Sequence, residues 1–264
     1  MSNTIYQALI DLEKNNESAA LCIVTKSEGS TPRHVGSKML VYPDGKFIGT
    51  VGGGELESRV INAALESLKT GEALNLTYTM ADPSRGDPGV CGGTMEVFVE
   101  PINPPATIVV IGGGHVGKAV VHLAKWLGFR VAVSDDREEF CNPESVPGAD
   151  AYYPVPMAEL ANQFKITRQT FLVVTSRGSG IDAAGLPPLL NSGAAYIGVI
   201  GSKRRWLTTV KALKEKGVSD ESIARVHSPM GIELNAETPE EIAVSIMAEI
   251  LMVRDKGTGR QMKD

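Results

Sequence analysis

The stretch Val110-Ile-Gly-Gly-Gly-His-Val-Gly-Lys-Ala119 decides how the second half of the chain folds. It follows an apolar run, 107–111, and opens a helical pattern over 115–127. Gly112, Gly114 and Gly117 keep the spacing G-x-G-x-x-G within it. Gly112 permits the tight turn, and Gly114 lets the backbone approach a pyrophosphate. Gly117 lets the helix pack on the strand, so that the first helical amides face an anion. About 20 residues further on, at the spacing such a turn requires, Asp135 and Asp136 end the next strand. Asp135 is placed to accept from a ribose hydroxyl. Two adjacent acids would repel a 2′-phosphate, which favours NAD over NADP as a nicotinamide ligand. A Rossmann-like fold whose cradle serves another ligand satisfies the same residues.

Outward from this turn the chain alternates. Strands are expected at Thr107–Ile111, Arg130–Ser134, Ala151–Tyr153, 170–175 and 195–200, and helices at 115–127, 157–164, 183–191, 203–215 and 239–254. Near-continuous apolar strands separated by helices predict a doubly wound parallel sheet covered on both faces. The last helix opens on Thr238-Pro-Glu-Glu241, an N-cap Thr with Pro at the first position and Glu at the third, which is a capping box.

Upstream, Pro101-Ile-Asn-Pro-Pro-Ala106 reads as an extended connector. It divides the chain into a small N-terminal α+β domain, 1–102, and a Rossmann-like C-terminal domain, 106–264. The first part offers helices at 4–15 and 54–69 and strands at 19–25, 38–42, 47–51, 74–80 and 95–100. Pro43-Asp-Gly45 marks a tight turn. A second glycine turn, Gly52-Gly53-Gly54-Glu55, also opens a helix, but Glu57 stands where the third glycine belongs. Helix and strand could not pack closely there, and Glu55 would compete with a phosphate for the helix amides. This turn imitates the fingerprint.

The 264 residues suit two domains at about 150 residues each. A net charge of −5 argues against nucleic acid or an anionic membrane as the main partner. No apolar run reaches the ~20 residues that span a bilayer. The amphipathic, acid-bearing start is no signal peptide, and three scattered cysteines without a C-x-x-C pair suit a reducing cytoplasm. Neither a G-x-S-x-G elbow nor a P-loop is present. A homodimer is the default assembly.

Several residues could carry chemistry. Cys91, in Pro88-Gly-Val-Cys-Gly92-Gly93, has glycines that leave its thiol approachable, suiting sulfur chemistry or a soft metal. Cys22 and Cys141 read as small buried residues. Ser30-Thr31-Pro-Arg33 is a polar, basic turn that suits an anion contact or an ordinary surface loop. Gly201-Ser202-Lys203-Arg204-Arg205 puts three cations at a helix start, against the dipole. It reads as an anion site or as a solvated face. His115 and His227 are candidate contacts.

Taken in order, Glu28-Gly-Ser-Thr-Pro-Arg33, Gly36-Ser-Lys-Met39, Gly49-Thr-Val-Gly-Gly-Gly-Glu55 and Cys91-Gly-Gly93 resemble the N-terminal half of XdhC/CoxI proteins. These are accessory factors for xanthine dehydrogenase and related molybdenum hydroxylases. The Rossmann turn, Ile200-Gly-Ser-Lys-Arg-Arg205, His227-Ser-Pro-Met-Gly231 and Ala236-Glu-Thr-Pro-Glu-Glu-Ile-Ala243 resemble the C-terminal half. The resemblance implies a chaperone that binds the molybdenum cofactor (molybdopterin), including its sulfurated form, and helps insert it. A molybdenum hydroxylase such as xanthine dehydrogenase would be its partner, with a cysteine desulfurase as a second. It also implies that the glycine cradle, with Lys203 and Arg204, takes the phosphate end. Cys91 would then sit near the metal or its sulfur, and Gly52–Glu55 would line a groove. One block departs from the family: Ser176-Arg-Gly-Ser-Gly-Ile-Asp182 keeps the Asp and lacks the usual His, and Arg177 supplies a fixed charge instead. The alternative reading is an NAD-dependent oxidoreductase, for which His227 and Asp182 are the available acid/base groups.

Overall fold

A computed structural model describes residues 2–15, 17–80 and 92–263. The chain divides into two compact units, Met1–Pro104 and Pro105–Asp264. No helix among the described residues is long and apolar enough to cross a membrane.

The first unit comprises α1 (Ser2–Asn15), β1 (Ala19–Glu28), β2 (Lys38–Val41), β3 (Phe47–Gly49), α2 (Gly54–Thr70), β4 (Leu74–Thr79) and β5 (Thr94–Ile102). Its sheet runs β3-β2-β1-β5-β4 with antiparallel neighbours throughout. Strand side chains alternate between faces. Ala20, Cys22 and Val24 therefore meet Leu56, Val60 and Ala64 of α2, while Ala19 and Leu21 join Ile5 and Leu12 of α1. Burial pushes the Cys22 thiol up to about 12, so it stays a protonated core residue.

The second unit contains β6 (Thr107–Ile111), α3 (His115–Trp126), β7 (Arg130–Ser134), β8 (Ala151–Tyr153), α4 (Leu160–Gln163), β9 (Thr170–Val174), α5 (Ser179–Leu190), β10 (Tyr196–Val199), α6 (Lys203–Glu215), α7 (Asp220–Ala224), β11 (Val226–His227) and α8 (Pro239–Arg254). Its six parallel strands run β11-β10-β9-β6-β7-β8. Counted from β6 this is the order 3-2-1-4-5-6, the doubly wound dinucleotide-fold arrangement, whose connections reverse direction between β6 and β9. Every residue of β6 and β9 is buried. Val110 and Val173 pack toward α3 and α8, whereas Val109, Leu172 and Val174 pack toward α5.

Three local expectations shift. The helix expected at 183–191 begins at Ser179 and carries Pro187 and Pro188 inside it. Burial of Leu186, Leu189 and Leu190 outweighs the lost amide donors. The 157–164 segment splits into a 3-10 turn, Met157–Glu159, and the single turn of α4. The short elements α7 and β11 lack the length to show a period in sequence.

The edge of the parallel sheet is tied down by one carboxylate. Glu249 on α8 accepts from the Tyr196 hydroxyl at 2.6 Å and the Gly231 amide at 2.6 Å, and meets His227 Nδ1 at 2.9 Å. Burial would raise this carboxyl; the three partners outweigh it and hold the group below the usual glutamate range. The tyrosine ring and the His227 ring stack with centroids 4.6 Å apart. The expected capping box of α8 is present, with Thr238 and Glu241 bonded reciprocally.

Two measurements check this account. A Cβ on Gly113 or Gly117 would overlap the Phe140 or Gly112 carbonyl, whereas one on Gly114 meets no atom within 4 Å. Gly113→Ala and Gly117→Ala should each lower urea-unfolding stability by about 1–3 kcal/mol or more, and Gly114→Ala by about 1 kcal/mol or less. Glu249→Gln should cost about 1–3 kcal/mol at pH 7. Because the folded carboxyl titrates below the unfolded one, its contribution is complete above the unfolded value and lost as pH falls through the folded value. The gap between wild type and variant should therefore close on acidification below about pH 4. A gap that stays constant to about pH 3 would contradict the assigned role.

Candidate functional site

The chain leaves β6 at Ile111 and turns on Gly112, whose φ of 118° lies outside the ordinary range of other residues. Its amide donates to Ser134 O at 2.7 Å, and its carbonyl accepts from Thr175 Oγ1 at 2.7 Å. A Cβ here would lie 2.6 Å from Thr175 O, so β6, β7 and β9 are all held through this one glycine. Gly117 stacks on the Gly112 carbonyl. Gly113, between the fingerprint positions, is packed against Phe140 O just as tightly. Gly114 has the opposite environment: its missing side chain faces open space, and as N-cap it gives the first amides of α3 no side-chain acceptor. The helices α6, α7 and α8 are each capped by a hydroxyl, from Ser202, Ser219 and Thr238. Like α2 and α5, which also open on glycines, α3 starts without a side-chain acceptor, and its first residues border a cavity.

That cavity, about 400 Å³, is bounded by Gly114, His115, Val116 and Gly117, by Thr175 and Ser176 after β9, and by Ile200, Gly201 and Arg205 after β10. Arg205 is the cation that reaches it. Its guanidinium holds Asp182 Oδ2 at 2.7 and 3.2 Å and Ser176 Oγ at 2.7 Å. Asp182 is fully buried, and its other oxygen is bonded by Ser176. A buried carboxylate thus fixes the arginine side chain against the crevice, since an unpaired charge there would be costly. Lys203 and Arg204 are exposed and line neither cavity of the strand ends, while Ser202 caps α6 by accepting from the Arg205 amide at 3.2 Å. Of the three cations in this run the sequence reading singled out Lys203 and Arg204; the one that borders the crevice is Arg205, at the inward helical position.

On the other side of the turn lies a pocket of about 240 Å³, bounded by Ile111, Gly112, 134–137, 155–158, 175–177 and the inner face of α5. Asp135 sits on its wall with every acceptor position engaged. Oδ2 takes the Gly113 amide at 3.0 Å and Arg137 Nη2 at 2.9 Å; Oδ1 takes the Arg137 amide at 3.1 Å and Nε at 2.9 Å. Burial raises its pKa and these bonds lower it further, leaving it below the usual aspartate range. The Arg137 guanidinium also lies 3.8 Å over the Phe140 ring. Asp136 pairs with Arg177 at 2.9 and 3.1 Å. Asp135, which was expected to meet a ribose, and its neighbour Asp136 are both matched to arginines.

The first unit assembles its own cluster. A Cβ on Gly93 would overlap the Ser30 carbonyl and the Thr31 methyl, and one on Gly52 would lie 2.9 Å from Pro32, so blocks far apart in sequence converge. Gly53 and Gly54, with φ of 87° and 61°, begin α2 on an open side. Glu55 turns away from the helix amides to Arg59 at 2.6 Å, and Glu57 bonds the Thr50 hydroxyl. Gly92 keeps a φ of 77°; Cys91 lies outside the described residues. His227 belongs to the Glu249 cluster and lines neither crevice cavity. Among the described residues no group of three His, Cys, Asp or Glu side chains is placed to hold a metal ion.

Comparison with known proteins agrees with both units. Residues 108–250 match the model of the XdhC Rossmann domain, and residues 12–79 that of the XdhC and CoxI family. The chain is 35% identical over 98% of its length to the uncharacterized protein YqeB of Escherichia coli (strain K12), covering 48% of that protein. It is 29% identical over 62% of its length to a probable xanthine dehydrogenase subunit of Bacillus subtilis (strain 168), covering 47% of it. The chain thus spans about half the length of these two relatives. It is 21% identical over 95% of its length to the molybdenum cofactor insertion chaperone PaoD of E. coli, covering 88% of that protein. A crystal structure described as a xanthine dehydrogenase from Bacillus halodurans shares the fold, with a TM-score of 0.51 at 21% identity over 98% of this chain and 97% of that one. With a Rossmann unit built on the Gly112–Gly117 turn and family matches across both units, the chain belongs to the XdhC and CoxI family.

Proposed function

We propose that this chain is an accessory protein that binds the molybdenum cofactor, in its sulfurated form, and helps insert it into a molybdenum hydroxylase such as xanthine dehydrogenase. Family membership and the roles named for its relatives support the class. One structural observation supports the binding step: the uncapped start of α3, with the open side of Gly114, faces Arg205 across one cavity. Amide donors, a helix dipole and a fixed guanidinium are the chemistry that receives a phosphate. The cargo's phosphate-bearing end would rest there, with His115 at the rim. Lys203 and Arg204 would contribute field at the helix start and Arg205 the contact.

Cys91 is proposed to meet the metal or its sulfur, and a cysteine desulfurase to be a second partner. A homodimer remains the proposed assembly. An NAD-dependent oxidoreductase needs a carboxylate free to accept from the adenosine ribose; Asp135 already accepts four bonds from Gly113 and Arg137, so nothing in the crevice favours that reading.

The test is reconstitution of a cofactor-free molybdenum hydroxylase with and without this protein, together with anaerobic pterin-fluorescence titrations. Arg205→Gln and Gly114→Ala should each weaken molybdopterin binding about tenfold or more, the loss of one charge-assisted contact or the filling of the cradle. Cys91→Ser should retain pterin binding and lose delivery of active cofactor. Unaltered binding in both crevice variants, or saturable NADH binding in place of pterin binding, would refute the assignment.

A further inference from the structure

The first unit balances most of its cations. Lys26 pairs with Glu28 at 3.1 Å, Lys46 with Asp44 at 2.7 Å and Arg59 with Glu55 at 2.6 Å. Lys14 stands in the last turn of α1, where the dipole favours it, and Lys69 in that of α2. Two cations depart from this pattern. The Arg33 guanidinium donates to the Pro32 carbonyl at 3.3 Å and the Lys38 ammonium to the Gly36 carbonyl at 3.0 Å. Neither has a carboxylate partner among the described residues, in a chain whose net charge is −5.

Both line one cavity of about 420 Å³, with Ser37, Thr50, Ile5 and Val35 on its walls and no acid among its lining residues. Its frame is fixed by hydrogen bonds. Thr31 Oγ1 donates to the Arg33 carbonyl at 3.0 Å and is bonded to Ser27 at 2.6 Å. The Gly36 amide donates to Val24 O at 2.8 Å, and the Val24 amide to Ser37 O at 2.9 Å, which pins the loop to β1. At the far wall the Thr50 amide donates to Lys38 O at 3.0 Å, and Gly49 packs so closely on that carbonyl that no side chain fits. The Ser37 hydroxyl has no hydrogen-bond partner among the described residues, and that of Thr50 is committed to Glu57.

A planar fork and a point charge that have no carboxylate partner among the described residues, and that line one cavity with no acid on its described walls, match a tetrahedral oxoanion. Among the described residues the walls offer no aromatic ring for a base and no carboxylate for sugar hydroxyls, which favours a simple oxoanion over a nucleoside. We propose that Arg33 and Lys38 form an anion site in the first unit that takes the phosphate of a small phosphomonoester or a free tetrahedral oxoanion. It is separate from the crevice of the Rossmann unit and stands whether or not that crevice takes a pterin.

Calorimetric titration of the full chain at low ionic strength with orthophosphate, molybdate and phenyl phosphate tests this. The expected result is a saturable process that Arg33→Gln and Lys38→Gln each weaken about tenfold, that Lys38→Arg restores, and that Gly114→Ala leaves unchanged. Tighter binding of phenyl phosphate than of the inorganic ions identifies an ester as the ligand; the reverse identifies the free oxoanion. Arg33 is exposed, so its variant keeps the fold and the comparison remains readable if Lys38→Gln does not. Absence of saturable binding by all three probes would overturn the site. So would a single process that Gly114→Ala weakens and Arg33→Gln does not.

Discussion

The Rossmann unit depends on the close approach of backbone to backbone at one turn. Gly112 bonds β7 through its amide and Thr175 through its carbonyl, and Gly117 rests on that same carbonyl. Three strands and one helix are positioned by a peptide unit that tolerates no side chain on either glycine. The consequence is chemical as well as architectural. Once α3 is drawn onto the strand ends, its N-cap glycine offers its first amides no side-chain acceptor, and the residues of that first turn border the crevice.

Charges around this turn follow the same logic. Asp182 is fully buried and would be costly alone; Arg205 relieves it and is thereby held with its guanidinium against the crevice. Asp135 is likewise buried, and its four donors tie the Gly113 amide to the Arg137 loop. The two pairs differ in what they leave over. At the start of α3 the cation of the pair, Arg205, borders the cavity with its acid buried behind it, while at the other pocket the acid, Asp135, sits on the wall and is already matched.

Much of this was legible in the sequence because it rests on spacing. The G-x-G-x-x-G interval, the apolar runs and the Thr238–Glu241 box each encode a local geometry, and each formed. What was not legible depends on tertiary direction. Nothing in a run of Lys203, Arg204 and Arg205 says which of them turns inward; that follows from where α6 crosses Asp182. Gly113 was passed over because the constraint on it comes from Phe140, far along the chain, rather than from the turn itself. Glu249 carries no spacing signal of its own; its role exists only because β10 and β11 bring Tyr196 and His227 to it. The clustering of Gly52, Gly93 and Pro32 was visible as separate motifs and acquires meaning when the antiparallel sheet joins them.

The acid after the second strand shows why a fingerprint should be divided into parts. Its glycines report a backbone path and an anion-facing helix, and both are required by packing alone. Its acid reports a ligand, and that inference holds only while the carboxylate has acceptor capacity to give. In this chain Arg137, two residues on, fills that capacity from within the loop. The glycine-opened helix start that borders the crevice is thereby kept, while the carboxylate that would read a ribose diol is occupied. In a fold of this kind a single arginine can alter what that acid is free to recognise without altering a glycine.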